Sequence, residues 1–246
     1  MKLHRFVSNS IDLTTLNLVG SHLAISDPEL VSQVKNVLRL EKGDKLIITD
    51  GKLHEGLCEI AGIDDRAIVI NILNISKNDK ESKLRTILYC SILKRENFEL
   101  VVQKATEVGI KEIVPVISKR TVKLNLRLDR LEKIAKEASE QSGRGVVPMI
   151  HAPIDFAAAL KAAKVNKINL FFDEHGAEIP DSTISRLAAD SRVGLFIGPE
   201  GGWDESEVER IKNTLDFKIV SLGKLTLRAE TAAIVASYLI NNIKNE

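Results

Sequence analysis

Alternating and β-branched apolar positions dominate the first third of the chain. The segments KLIITD, HEGLCEI and AIVINIL place apolar residues between Gly and Asp punctuation, which is typical of short strands. One helix interrupts them after a start signal at Asp27, and its apolar residues are expected on one face: Leu30, Val34, Val37 and Leu38. This part of the sequence predicts a small β-barrel.

The pattern changes after the polar stretch ISKNDKES, which is the best linker candidate. Apolar runs now alternate with helical periodicity: TILYCSI, EIVPVI, INLFF, VGLFIG and KIVSLG are separated by segments such as ENFELVVQKATEVG and RLDRLEKIAKEASEQSG. Such alternation predicts βαβ units and a mainly parallel sheet covered on both faces. We therefore expect an α/β protein with two domains, residues 1–76 and 77–246.

Ligands of open parallel sheets bind beyond the carboxyl ends of the strands, so the segments after LFF, FIG and SLG are where chemistry is expected. The strand VGLFI is followed by GPEGGWDESE, in which glycines and a proline precede a helix whose capping pair is Asp204 and Glu207. The segment lacks the patterns GxGxxG and GK[ST], which disfavours NAD and ATP. A tight connection with glycines for steric reasons alone is the alternative interpretation.

Two further turns carry candidate chemistry. Gly223 ends a strand, and Arg228 and Glu230 follow it at the entry to a strongly apolar helix, where charges are costly unless they are paired or used. Either ion pairing with other groups of the fold or a role in catalysis would explain these two charges. In EQSGR, Arg144 follows a helix in a glycine-containing turn, where it either grips a phosphate or base edge or is a surface residue.

Composition and charge narrow the function class. The 246 residues are 44% hydrophobic and 28% charged, as in an ordinary globular protein, and the net charge is +1. Residues 77–150, however, carry 16 basic against 10 acidic residues. This excess fits either a polyanion-binding face or a solvated helix face. Because only 4% of residues are aromatic, any RNA contact is expected at the backbone rather than by base stacking.

Several classes of protein are disfavoured. No apolar stretch suits a signal peptide or a membrane span, so we expect a cytoplasmic protein without membrane contact. Cys58 and Cys90 lie in apolar alternating segments and are expected to be buried thiols. The five histidines lack metal-ligand spacing, so no metal site is predicted.

Several motifs together resemble the RsmE family of ribosomal RNA uridine-N3 methyltransferases, within the SPOUT superfamily. They are IGPEGGWDESE at 197–207, LGKLTLRAETA at 222–232, QKATEVGI at 103–110, EQSGR at 140–144 and VLRLEKGD at 37–44. The resemblance covers essentially the whole chain. The sequence departs from the family pattern at Ser32 and Gln33, where a histidine pair is common, and at Trp203, where Phe or Leu is common.

The resemblance implies an N-terminal PUA-like β-barrel that helps hold RNA and an α/β SPOUT domain whose last segments thread a deep trefoil knot. It also implies S-adenosylmethionine as cofactor, a homodimer with the active site near the subunit interface, and 16S rRNA or the small ribosomal subunit as partner. Carried over by motif, the residues around the cofactor would be Gly198, Pro199, Glu200, Gly201, Gly202, Leu222, Gly223, Leu227 and Arg228, with Phe172 as a candidate for the adenosine wall.

Methylation of uridine N3 requires an unpaired or extruded base that loses its imide proton. The candidates are Glu200 or Glu230 as proton acceptor, and Arg144 or Arg228 as the group that stabilises the anionic uracil. The residues expected to contact RNA are Arg5, Arg39, Lys94, Lys104, Arg120 and Arg144. Two other functions stay open: a SPOUT enzyme acting on a ribose hydroxyl of another RNA, and a non-catalytic RNA-binding assembly factor.

Overall fold

A computed structural model describes residues 3–8, 10–14, 18–122, 126–179, 183, 187 and 189–242. The chain forms two compact units. The first comprises Met1–Glu81 and Ser139–Val147, and the second comprises Ser82–Ala138 and Pro148–Glu246. The expected domain division near residue 76 falls within the last strand of the first unit.

The first unit contains a five-stranded sheet of order β1-β3-β4-β5-β2. Its strands are β1 (His4–Val7), β2 (His22–Ile25), β3 (Lys45–Thr49), β4 (His54–Ile63) and β5 (Ile68–Lys77). Strands β1 and β3 are parallel, and the other neighbours are antiparallel. Alternate residues such as Ile48, Ile60 and Ile70 are fully buried, which explains the alternating pattern of the sequence. The predicted strands are therefore confirmed.

The expected helix after Asp27 forms, but its buried face is shorter than predicted. Helix α1 (Pro28–Ser32) begins where the Asp27 carboxylate accepts the N–H of Glu29 at 2.9 Å, and it continues as a π-helical turn over Gln33–Val37. Leu30 and Val34 are buried, whereas Val37 is 70% exposed. The prediction that Val37 shares the buried face is wrong because the wider π-turn breaks the 3.6-residue period.

The second unit contains a parallel sheet of order β12-β10-β11-β6-β7-β8, with β9 also paired to β7. Its strands are β6 (Arg85–Ser91), β7 (Glu112–Ile117), β8 (Met149–Ile150), β9 (Ile154–Asp155), β10 (Ile168–Glu178), β11 (Arg192–Ile197) and β12 (Phe217–Ser221). Its helices are α2 (Arg95–Glu107), α3 (Leu128–Ser142, whose last four residues belong to the first unit), α4 (Phe156–Ala162), α5 (Glu205–Lys212) and α6 (Ala229–Asn241). The predicted mainly parallel sheet is confirmed.

Both faces of this sheet are buried, as the continuous apolar runs predict. Leu170 pairs with Leu195 on one face, and Phe171 pairs with Phe196 on the other, and all four side chains are fully buried. On the second face, Phe196 stacks on Tyr89 with ring centroids 4.4 Å apart. The helix expected after β10 falls mainly on residues 180–188, most of which lie outside the described residues. The trefoil knot stays a prediction.

Both cysteines are free, buried thiols, as predicted. Burial raises the pKa of Cys58 to about 12 and also raises the pKa of Cys90. Within the described ranges, no helix is both long and apolar enough to cross a membrane. The same part of the chain holds no group of three or more His, Cys, Asp or Glu side chains arranged to bind a metal ion.

Candidate active site

The carboxyl ends of β11 and β12, on either side of β10, bring the predicted cofactor segments together. Phe172 of β10 lies in register with Ile197 of β11 on one side and with Val220 of β12 on the other. The residues that follow β11 and β12 therefore flank the same point of β10. We call residues 198–202 the first glycine turn and residues 222–228 the second glycine turn.

The first glycine turn is closed by the N–H of Gly202, which donates to the carbonyl of Pro199 at 2.9 Å. Gly202 has a φ of +69°, a left-handed conformation that favours glycine. A Cβ built on Gly198 would lie 3.1 Å from the ring of Trp203, so packing also favours a glycine there. Glu200, Gly201 and Gly202 are exposed, and Pro199 is buried.

Trp203 links this turn to β10. Its indole N–H donates to the carbonyl of Phe172 at 3.0 Å, and its ring stacks on Phe171 with centroids 4.5 Å apart. Phe or Leu, which are common at this position in the family that the sequence resembles, cannot donate that hydrogen bond. Trp203 thus fixes the start of α5 against β10 at Phe172.

The predicted capping pair at the start of α5 is confirmed. The Asp204 carboxylate accepts the N–H of Ser206 at 3.1 Å, and the Glu207 carboxylate accepts the N–H of Asp204 at 3.0 Å. The Ser206 hydroxyl and the Lys119 ammonium lower the pKa of Asp204 to about 2. The Asp204 carboxylate therefore stays ionised at neutral pH, and its negative charge stabilises the N-terminus of α5 through the helix dipole.

The second glycine turn is an exposed loop. Gly223 has a φ of +124°, and the Ser221 hydroxyl donates to its carbonyl at 2.9 Å. Thr226 donates to the Glu174 carboxylate of β10 at 3.1 Å. Leu222 and Leu227 are partly buried, whereas the loop residues between them are exposed.

Arg228 and Glu230 differ sharply in environment. The Arg228 side chain is 86% exposed, and its Nη1 lies 4.0 Å from Oε1 of Glu230. The Glu230 side chain is only 10% exposed, and its Oε2 is buried without a hydrogen-bond partner among the described residues. The contact between them is long for an ion pair, so it does not by itself account for both charges.

Glu200 is oriented by the main chain. Its Oε1 accepts the backbone N–H of Lys94, the residue before α2, at 3.0 Å. Both residues are exposed. The first glycine turn is therefore attached to the start of α2 as well as to β10.

Arg144 belongs to the first unit, whereas both glycine turns belong to the second. Its Nη2 and Nε contact the two carboxylate oxygens of Glu81 at 2.9 and 3.0 Å, and the side chains are 6% and 8% exposed. This bidentate geometry directs the guanidinium of Arg144 toward the Glu81 carboxylate. Arg5 of the same unit forms an ion pair with Glu55 at 2.8 Å and is 14% exposed.

The other residues expected to contact RNA are more accessible. Arg39 is exposed in the first unit and has a φ of +54°. In the second unit, Lys94 is exposed, and Lys104 binds Glu107 at 2.9 Å. Arg120 is 46% exposed, but its guanidinium donates to the carbonyl of Gly201 at 2.9 Å.

Sequence reasoning missed two residues that hold the first glycine turn: Trp203, and Arg120 in this role. Arg120 follows β7, another strand whose carboxyl end lies at this edge of the sheet. The rule that locates chemistry beyond strand ends therefore offered a signal for Arg120. The indole hydrogen bond of Trp203 had no signal in the sequence pattern.

Two family models match the chain. An RNA methyltransferase domain matches residues 80–241, and an RNA methyltransferase PUA domain matches residues 34–73. The chain is 32% identical to the ribosomal RNA small subunit methyltransferase E of Rickettsia conorii over 93% of each protein. It is 29% identical to the protein of the same name from Bacillus subtilis over 85% of each.

Solved structures show the same fold. The ribosomal RNA small subunit methyltransferase E of Neisseria gonorrhoeae, bound to S-adenosylmethionine, superposes with a TM-score of 0.84 and 27% identity over 97% of each chain. A protein of Legionella pneumophila in complex with the same cofactor gives a TM-score of 0.84 and 27% identity over 98% of this chain and 97% of that one.

Proposed function

The chain belongs to the RsmE family of ribosomal RNA small subunit methyltransferases, and we propose that it transfers a methyl group from S-adenosylmethionine to N3 of a uridine in 16S rRNA. The observation that carries the proposal is the convergence of two glycine turns on Phe172 of β10, at the carboxyl ends of the parallel strands β11 and β12. This is the edge of an open α/β sheet at which ligands bind.

The residues at this edge fit the cofactor. Gly202 and Gly223 have positive φ values, and nothing lies within 4 Å of a Cβ built on either, so the backbone there is open to a ligand. The buried Oε2 of Glu230 has no partner in the described part of the chain and can accept a hydrogen bond or face a positive charge. We assign residues 198–202, Leu222, Gly223, Leu227 and Arg228 to the cofactor site, with Phe172 as the adenosine wall.

When bound, S-adenosylmethionine supplies an electrophilic methyl group on a sulfonium sulfur. The glycine turns then serve to hold the donor and the uridine in line, and positioning of this kind lowers a barrier by roughly 7 to 11 kcal/mol. Glu230 is better suited than Glu200 to accept the imide proton, because its Oε2 is buried and unpartnered while Oε1 of Glu200 accepts the Lys94 N–H. The exposed Arg228 is suited to stabilise the anionic uracil.

Arg144 and Arg5 fit structural roles better, because Arg144 is buried in its ion pair with Glu81 and Arg5, which is partly buried, is paired with Glu55 in the same unit. The accessible basic residues, Arg39 in the first unit and Lys94 in the second, are the better candidates for phosphate contacts. In this proposal the first unit, which the sequence placed at residues 1–76, forms a PUA-like RNA-binding domain. The second unit, which the sequence placed at residues 77–246, forms a SPOUT methyltransferase domain whose last segments thread a trefoil knot around the cofactor.

We further propose that the protein is a homodimer. Tyr238 and Leu239 of α6 are 55% and 42% exposed, and Leu100 is 38% exposed on α2, the helix that packs against α6. Large apolar side chains on adjoining helices are typical of an interface. A second copy of the chain is the proposed partner. The proposed substrate and the two buried thiols fit action in the cytoplasm.

Nucleoside analysis tests this function. Small-subunit RNA from cells that lack the gene is incubated with the purified protein and methyl-labelled S-adenosylmethionine, then digested and separated by mass. We expect the label in 3-methyluridine, with free RNA and intact subunits tested in parallel. Label in a ribose-methylated nucleoside would show a different SPOUT activity, and cofactor binding without any transfer would favour an assembly factor.

A further inference from the structure

Arg120 is bonded to the backbone of the first glycine turn. Its Nη1 donates to the carbonyl of Gly201 at 2.9 Å, and its Nε lies 3.9 Å from Oδ2 of Asp204, just beyond the turn. A Cβ built on Gly201 would lie 3.8 Å from both Cβ and Cδ of Arg120, so the aliphatic stem also lies against the turn. The guanidinium thus spans from the turn to the N-cap of α5.

The segment that carries Arg120 is itself held in place. The N–H of Ser118 donates to the Thr121 hydroxyl at 3.0 Å, which closes a short turn after β7. The neighbouring Lys119 donates through its backbone N–H to Glu207 at 3.0 Å and through its ammonium to Asp204 at 3.1 Å. Arg120 therefore projects from a base that is already fixed to α5.

We propose that Arg120 is a positioning residue for the cofactor site, acting through the carbonyl of Gly201 rather than through contact with RNA. The inference rests on the proposed function. Residues 200–202 are exposed, and the bonds from Arg120 and Lys94 tie them to the rest of the unit. A loop held in one conformation before binding loses less conformational entropy when a ligand binds.

The test measures S-adenosylmethionine binding by calorimetry without RNA, for the wild type, Arg120→Met and Arg120→Lys. Because a charge-assisted hydrogen bond is lost, we expect Arg120→Met to weaken binding about tenfold. Arg120→Lys keeps the charge but lacks the planar guanidinium, so its cofactor affinity is expected to lie between those of the wild type and Arg120→Met. At saturating cofactor, the methylation rate of each variant is expected to stay within about twofold of the wild type. The substitutions are expected to raise the KM for S-adenosylmethionine and to leave kcat unchanged.

Trp203 provides a readout of the turn that needs no cofactor. It is the only tryptophan of the chain, it directly follows the turn, and it is 6% exposed. We expect acrylamide to quench its fluorescence more strongly in Arg120→Met than in the wild type, at a temperature at which circular dichroism shows both folded. If Arg120→Met does not fold, Arg120→Lys carries the comparison.

Arg127→Met is the matched control, since it removes the same charge from a guanidinium that binds Asp129 instead of the turn. Its cofactor affinity and quenching are expected to equal those of the wild type. Wild-type cofactor affinity in Arg120→Met, together with weaker RNA binding, would overturn this inference alone. A wild-type protein that does not bind S-adenosylmethionine would overturn the proposed function as well.

Discussion

A buried guanidinium that forms a bidentate pair with a carboxylate behaves differently from one that contacts a substrate. For Arg144, charge and position in a turn suggested RNA contact, but its bonds to Glu81 predict a dominant effect on stability. Arg144→Ala leaves the Glu81 carboxylate buried without that partner, and we expect the free energy of unfolding to fall by about 3 to 5 kcal/mol. Urea denaturation measures this change.

The double variant Arg144→Ala with Glu81→Ala is the control for that experiment. It removes both charges, so it is expected to be more stable than Arg144→Ala alone. A change below about 1 kcal/mol in the single variant, combined with a large loss of RNA affinity, would instead support the substrate role.

Glu230 offers a second test at the scale of one residue. Glu230→Gln keeps the shape of the side chain but cannot take up the imide proton, so we expect single-turnover methylation at saturating cofactor to slow by about 10² to 10⁴. Glu200→Gln serves as the comparison and should slow the reaction less. The assignment is wrong if the two variants exchange these behaviours.

Individual residues also mark the limit of sequence reasoning. The glycines of both turns were found because a strand, a glycine and a helix start leave a local pattern. The bond from Arg120 to Gly201 joins positions 81 apart, and periodicity carries no record of such a contact. The burial of Arg144 likewise depends on Glu81, 63 positions away.

At the scale of elements, ion pairs hold helices and turns of the second unit. Arg130 of α3 binds both oxygens of Glu99 on α2, and this lowers the pKa of Glu99 to about 2 from an ordinary 4.5. As the pH falls below 4.5, the unfolded chain takes up this proton before the folded protein does. We therefore expect the free energy of unfolding to decrease from about pH 4.5 toward pH 2.

Denaturation in urea at several acidic pH values measures this effect, with Glu99→Gln as the comparison. The variant lacks the titrating group, so its stability should fall less steeply across the same range. Parallel curves for the two proteins would show that the pair between α2 and α3 does not contribute to acid sensitivity.

Helices and strands were easiest to predict where the spacing of apolar residues agrees with the capping residues at their ends. The capping pair of α5 follows from Asp204 and Glu207 alone, and the buried parallel strands follow from their continuous apolar runs. The helix after Asp27 was predicted with one wrong residue, Val37, because a π-turn shifts the face without a distinctive residue type. Local patterns thus fix the start of an element better than its continuation.

At the scale of the whole molecule, the proposed dimer gives a direct prediction. Tyr238→Arg places a charge in the proposed apolar interface, so we expect sedimentation to change from twice 27.2 kDa to 27.2 kDa. Leu215→Arg is the matched control, because Leu215 is fully exposed in the same unit but lies before β12, outside α2 and α6. A wild-type protein that sediments as a monomer would contradict the proposal.

The order of strands in the large sheet could not be read from the sequence, although its parallel character could. Strand β10 lies between β11 and β12, and this neighbourhood alone places the two glycine turns beside each other. Local periodicity specifies which residues form strands, whereas strand order depends on how the crossovers pack. The proposed cofactor site therefore depends on tertiary structure, through the position of β10 between β11 and β12.

Calorimetric titration with S-adenosylmethionine tests whether the two glycine turns form the cofactor site, using the wild type, Gly223→Ala and Gly43→Ala. Both glycines have positive φ and open space around a built Cβ, but Gly43 lies in the first unit, so the two substitutions introduce comparable backbone strain. We predict one cofactor per chain for the wild type and Gly43→Ala, and binding at least about tenfold weaker for Gly223→Ala. Equal affinity in all three proteins, or no binding by the wild type, would contradict a cofactor site between the two glycine turns.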